Sequence, residues 1–421
     1  MRIKILKADE YLLQFLLFMV LFLTSGFVVT NDLMSSSVTI GLWVMVLTIL
    51  LLQQRKLKPD MIFVFIIIAG SFLISDIFNS EPIINTFKCL FSFVTVFFLV
   101  NRYDPERIKN SYIEIMYLIS WISLILFALF TILPSLSNIN VVINAAGNAY
   151  SNLYIYTHSS LLQRNQSMFW EPGAFQTFVN IALLFEILKD NTNIKKIFIF
   201  TIAVITTFST TGYIALALCF LLLLIKNNRR DRKNKQLRRA IILFVFIAAI
   251  LIVYNYDLFF DRSKNSVFGK IVNFFENDQI ANNTMSSSTI RYYSFVKSIE
   301  AFFRKPIFGW GYEGLSIELF PYTHGMNTCT FINFLSVYGI FYGIPMLVGF
   351  ILLSKEKKQR WYISLLVFTI FFICTISENF VNNAFFIMLS LMGYKTNFGE
   401  VKKENSLTLS NSKVNNGYSI N

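Results

Sequence analysis

The sequence predicts an all-α polytopic membrane protein with about twelve transmembrane helices, and three observations predict it. The 421 residues are 55% hydrophobic and only 14% charged, whereas a soluble chain carries nearer a quarter charged. The charges gather in short clusters separated by apolar runs of the length that crosses a hydrocarbon core. Those runs are continuous rather than alternating, so they read as helices, whose backbone amides are satisfied internally in lipid, and not as barrel strands.

Taken in order, the runs place spans near 11–29, 36–52, 61–78, 83–100, 112–133, 173–188, 194–209, 211–225, 240–256, 330–353, 361–377 and 380–394. The pair 194–209 and 211–225 has almost no connecting chain and must form a tight helical hairpin. Residues 1–394 form one transmembrane domain, and 395–421, rich in Asn, Ser and Lys, reads as a disordered cytoplasmic tail. Met1 to Lys7 is basic and leads into an apolar run, but no small-residue cleavage site follows, so a cleaved signal peptide is not expected.

The net charge of +13 is not a nucleic-acid signature, because of where the cations lie. With a cytoplasmic N-terminus, 28 of the 37 Lys and Arg fall in cytoplasmic segments, leaving nine on the other side. Both termini are then cytoplasmic. The run KNNRRDRKNKQLRR (226–239) reads as a lipid-headgroup anchor. Cys89, Cys219, Cys329 and Cys374 lie in or beside apolar spans at unrelated spacings and read as small core residues, with no zinc site or disulfide framework.

That orientation leaves two long outward loops, 134–172 and 257–329, far above the usual connection length. Both are rich in Tyr, Phe, Trp and Asn. The second holds an amphipathic helix, IRYYSFVKSIEAFFRKP (290–306).

Three clusters in these loops carry chemistry. The first, Arg164 to Gly173, contains Glu171 and Pro172. Pro172 suits the first turn of a helix, Glu171 the positive dipole there, and Trp170 an interfacial belt. Arg164 is scarce on the outward side and harder to assign to structure. The second is Arg291 followed by Arg304-Lys305-Pro306-Ile-Phe-Gly309-Trp310-Gly311-Tyr312-Glu313, whose glycines permit a tight turn but match no phosphate-cradling loop. The third is His324-Gly325-Met326-Asn327. His158 and His324 are the two histidines, and both fall in the outward loops. Arginine forks fit phosphate oxygens and can neutralise a departing diphosphate without a metal. No acidic pair suited to a divalent ion stands on that face, so neither metal nor cofactor is expected. Outside the cytoplasm the natural activated donor is a lipid-linked diphosphate.

At these residues the chain resembles the O-antigen polymerase and O-antigen ligase superfamily of bacterial envelope proteins. Arg164, Phe169, Glu171 and Pro172 match its Arg-x-x-Gly-x-Phe-x-Glu-Pro pattern, with Ser167 in place of the glycine. Pro306 to Gly311 resembles its Pro-x-x-Gly-x-Gly element, with Arg291 about fifteen residues ahead, and His324, Asn327 and Tyr338-Gly339-Ile340 resemble its next element. Phe208-Ser209-Thr210-Thr211-Gly212 is similar to its Ser-Arg-x-Gly hairpin but lacks the arginine.

The resemblance implies a C-type glycosyltransferase-like architecture in the bacterial inner membrane, with the active site on the periplasmic face. It implies that Arg164, Arg291 and Arg304 hold the diphosphate of an undecaprenyl-linked glycan, and that His324 or Glu171 orients or deprotonates an acceptor hydroxyl. Tyr292, Trp310, Tyr312 and Asn327 are glycan-contact candidates. The activity implied is metal-independent, inverting polymerisation of repeat units into a surface polysaccharide, O-antigen or capsule. The ligase that moves finished glycan to its acceptor fits equally. The setting implies a flippase and a chain-length regulator as partners. A flippase is also the reading from another class. Its argument weakens because Asp76, Lys88, Glu114 and Glu186, the intramembrane charges, all lie near span ends.

Overall fold

In the computed structural model the described residues are 2–26, 30, 34–53, 56–143, 149–153, 155–158, 164–226, 287–355 and 360–398. The expected span 240–256, residues 227–239 of the basic run, 257–286 of the second long loop and the tail from 399 lie outside them.

The first five helices are α1 (Arg2–Thr24), α2 (Ser36–Gln53), α3 (Pro59–Phe78), α4 (Ile83–Arg102) and α5 (Pro105–Ile132). Of these, α2 to α5 are long and apolar enough to cross a membrane. Then come α6 (Pro172–Leu188), α7 (Ile194–Thr206) and α8 (Thr210–Lys226). The remainder are α9 (Ser287–Arg304), α10 (Tyr312–Thr323), α11 (Thr330–Tyr338), α12 (Ile340–Ser354), α13 (Trp361–Thr375) and α14 (384–398). Helices α6, α8, α12 and α13 are apolar but shorter. The expected α7–α8 hairpin is present, turning over Thr207–Ser209, and Asn193 caps α7 by accepting from the Lys195 amide (3.0 Å).

Helix α6 is the hub. All its residues are buried, and it packs on α5, α7, α8 and α13. A helix buried on every side and largely apolar suits that position. Its polar groups bind helices together: Thr177 donates to the Cys374 carbonyl (2.6 Å), and Asn180 to the Gly212 carbonyl (3.2 Å). Cations collect at its C-terminal end, where Lys226 donates to the carbonyls of Ile187 (3.0 Å) and Lys189 (2.8 Å). At that same end Lys109 lies over the Phe185 ring.

Three differences from the sequence reading have physical causes. Helix α1 starts at Arg2 because Asp9 and Glu10 are held by ion pairs: Arg102 and Arg107 to Asp9 (3.0 and 2.8 Å), and Arg107 to Glu10 (3.1 Å). Helix α14 runs past 394 to 398, because Lys395 is buried and donates to the carbonyls of Val100, Asn101 and Tyr103. The expected single span 330–353 is two helices, α11 and α12, broken at Gly339 (φ +77°).

That break explains the glycine elements. The segment 306–311 crosses the α11–α12 junction backbone to backbone, with Ile340 N–H donating to the Pro306 carbonyl (2.8 Å) and Trp310 N–H to that of Ser336 (3.0 Å). A Cβ on Gly339 would lie 2.0 Å from the Ile307 oxygen, and one on Gly309 2.2 Å from that of Val337. The loop 134–172 holds a 3-10 turn (Pro134–Asn138) and a small antiparallel sheet, β1 (Val141–Ile143), β2 (Ala149–Asn152) and β3 (Thr157–His158), in the order β1-β2-β3.

Candidate active site

The site is built on the segment that enters α6. Arg164 is mostly buried and clamps the α7–α8 turn: its Nε donates to the Thr207 carbonyl (2.8 Å) and its Nη2 to that of Phe208 (2.7 Å). The hairpin that lacks the family arginine is thus reached by Arg164 from outside. Asn165 follows, donating to Ser123 and Thr206, while Gln166 donates to Thr157 of β3 (2.6 Å). Ser167, standing where the resembled pattern has glycine, has φ +52°, the left-handed region that glycine favours. The chain then turns Phe169 inward onto Phe178 (4.5 Å). Glu171 becomes the N-cap of α6 and Pro172 opens its first turn, as the sequence indicated.

The turn after α13 meets this segment. Glu378 is 4% exposed, and Trp170 Nε1 donates to its Oε2 (3.1 Å). Thr330, at the start of α11, fixes the turn by donating to the Glu378 carbonyl (2.8 Å) and accepting from Phe380 N–H (2.9 Å). Both carboxyls lie over the bare face of Gly173: a Cβ there would be 2.3 Å from Glu378 Oε1 and 3.3 Å from Glu171 Oε1. Burial pushes the Glu378 carboxyl well above its usual range, and repulsion from the neighbouring Glu171 adds to this. Arg291, on the first turns of α9, opposes that shift, so it stands within electrostatic reach of the pair. Arg164 interacts with Glu171, Arg291 and Glu378 alike, and burial lowers its pKa. Four charged groups from α9, the α6 entry and the α13–α14 turn therefore lie within electrostatic reach of one another.

Glu378 is not among the residues the sequence singles out: the alternation of spans gives its side of the membrane but not its partners. The basic chemistry of the cluster is clear. Two guanidiniums offer forked donors to an anion, and the carboxyl pair can hold or accept a proton.

The other candidates are placed elsewhere. His324 is an exposed, left-handed C-cap of α10 beside the Phe320 ring, and Asn327 accepts from Asn333 (3.3 Å). No hydrogen bond or ion pair among the described residues ties either to Arg164 or Arg291. Arg304 is paired with Glu318 (2.6 Å) and lies over Trp310, whose indole donates to the Ala301 carbonyl (2.8 Å). That pairing gives Arg304 and Trp310 a structural role around the glycine crossing. Tyr292 is exposed beside Tyr293. Tyr312 lines a separate cavity beyond Trp170. His158 is buried in β3 against Phe130 (4.8 Å), and burial lowers its pKa.

Residues 197–330 match the family model described as O-antigen ligase. No curated protein and no solved structure matches the chain. The match takes in the α7–α8 turn that Arg164 clamps, and Arg291 and the glycine crossing strand up to Gly311. Residues 197–330 are therefore similar to the O-antigen ligase family, in keeping with the resemblance of the motifs.

Proposed function

We propose that this protein is a glycosyltransferase that polymerises undecaprenyl-diphosphate-linked repeat units into a surface polysaccharide. The observation that carries this reading is the convergence of Arg164 and Arg291 on the Glu171–Glu378 pair at the N-terminal end of α6. The opposite end of α6 carries the lysines, and the positive-inside bias assigns that end to the cytoplasm. The cluster then faces the periplasm of an inner-membrane protein, where a lipid-linked diphosphate arrives through the bilayer.

In this reading Arg164 and Arg291 bind the two phosphates. The acceptor hydroxyl attacks the anomeric carbon as the bond to the diphosphate oxygen breaks, and undecaprenyl diphosphate leaves with that electron pair. Glu171 takes the hydroxyl proton, helped by Glu378, whose proton stabilises the carboxylate. Glu171 is preferred to His324 because it sits within the arginine cluster and His324 does not. Arg164 is already oriented by two backbone carbonyls, so its remaining N–H groups are fixed before the donor binds.

The description of the matched family favours a second reading, a ligase that transfers finished glycan from the lipid carrier to its acceptor. A deletion strain separates them. Acceptors carrying single repeat units indicate a lost polymerase, and lipid-linked polymer with bare acceptor indicates a lost ligase. Unchanged surface glycan would remove both.

A further inference from the structure

Next to the arginine–carboxyl cluster lies a cavity of about 360 Å³, walled by Trp43 of α2, Asp76 of α3, Lys88 of α4, Trp170, Tyr312 of α10 and Asn379. Its wall is anomalous for a bundle interior. Asp76 is 5% exposed; its Oδ2 accepts from Thr86 (2.6 Å), but its Oδ1 is buried with no partner. A buried carboxylate oxygen without a donor is costly, and the Asp76 residue that carries it is part of the cavity wall. Lys88, one of the charges near span ends, lines the same space and is in no hydrogen bond or ion pair among the described residues. By contrast Glu81, at the rim, is engaged: its Oε1 accepts the Glu313 N–H (2.8 Å) and seats the N-terminus of α10 on the α3–α4 turn.

Chemistry and position select the occupant. Flat indole and phenol faces suit the C–H faces of a sugar ring, while carboxylate, amide and ammonium groups suit its hydroxyls. The wall carries both signs of charge, which disfavours a second diphosphate. The volume is at the small end of ligand pockets, roughly one or two pyranose rings. Trp170 is the shared partition: its ring lines the cavity and its indole N–H holds Glu378. A ring seated here would present a hydroxyl toward the carboxyl pair.

We propose that this cavity binds a hydroxyl-bearing sugar ring of the acceptor glycan, with Asp76 and Lys88 as the charged groups of its wall. The identity of the ring as acceptor rests on the transferase reading above; its binding does not.

The test uses the full chain in lipid nanodiscs, titrated with galactose, N-acetylglucosamine and rhamnose. Binding is read by tryptophan emission and saturation-transfer NMR. Saturable binding of at least one sugar is expected, weakened about tenfold in Asp76→Asn, as for a lost hydrogen bond to a charged group. It should survive in Arg291→Ala, which disables the diphosphate site. Asn379→Ala, away from any helix interior, gives the same readout should Asp76→Asn fail to fold. No saturable binding by the wild type, or binding unchanged in whichever of the two variants folds, overturns the proposal. Sugar binding by a protein that makes no polymer would sink the transferase reading and leave the cavity standing. Polymer formation without sugar binding would do the reverse.

Discussion

Glu171 and Glu378, 207 residues apart in sequence, place their carboxyls over the same bare face of Gly173. One caps the central helix of the bundle and the other comes from the turn after α13, and Trp170 holds the second by its indole N–H. Their mutual repulsion raises the Glu378 pKa, and the charges of Arg291 and Arg164 act against it.

Glu378→Gln should therefore change the pH dependence of stability. The folded carboxyl titrates above its unfolded value, so its contribution is fully present below the unfolded pKa and lost as pH rises through the folded one. The wild type should lose thermal stability across that window, and the variant should lose less. Parallel melting profiles for the two proteins over this range would contradict the raised Glu378 carboxyl.

Arg164→Lys should not behave as a conservative change. Lysine keeps the charge but loses the fork that spans the Thr207 and Phe208 carbonyls. We expect a loss of about 2–3 kcal/mol in stability and loss of transfer activity. Wild-type melting and rate in this variant would show that the clamp on the α7–α8 turn is dispensable.

Ser167→Gly should be neutral to about 1 kcal/mol more stable, because glycine relieves a φ of +52° at some cost in unfolded-chain entropy. Ser167→Val, β-branched, should destabilise by more than about 1 kcal/mol. Chemical denaturation in mild detergent reads both, and a destabilised glycine variant would sink the conformational account.

Gly339→Ala should be among the most damaging single-methyl changes in the chain. The added carbon would lie 2.0 Å from the Ile307 oxygen at a φ of +77°, so the crossing between 306–311 and the α11–α12 junction must open. The expected readout is a large fall in the amount of folded protein in the membrane. Wild-type levels would mean the crossing tolerates a shift.

Hydropathy made most helices legible, because a continuous apolar run has few alternatives in a bilayer. Pro172 marked the start of α6, and the short link at 207–209 marked the hairpin. Hydropathy could not show the break at Gly339, where a backbone angle rather than a polar residue ends the helix. Nor could it show the ends of α1 and α14, whose charged residues are stabilised by partners distant in sequence. Arg164 and Glu171 were legible as scarce charges at a helix entry. Glu378 was not, because nothing local distinguishes a carboxylate in the link 376–383 from an ordinary polar residue. Its role exists only through Trp170 and Gly173. His324 illustrates the converse: a residue type suited to catalysis, placed at an exposed helix cap.

The most direct test of the central claim is release of undecaprenyl diphosphate from lipid-linked repeat units by the protein in proteoliposomes. Wild type, Arg164→Ala and Arg291→Ala would be compared at matched protein amount. If the two arginines neutralise the leaving diphosphate, both variants should fall by about 100-fold or more while remaining folded in the membrane. Release at the wild-type rate from both variants would contradict the diphosphate site and the transferase mechanism built on it.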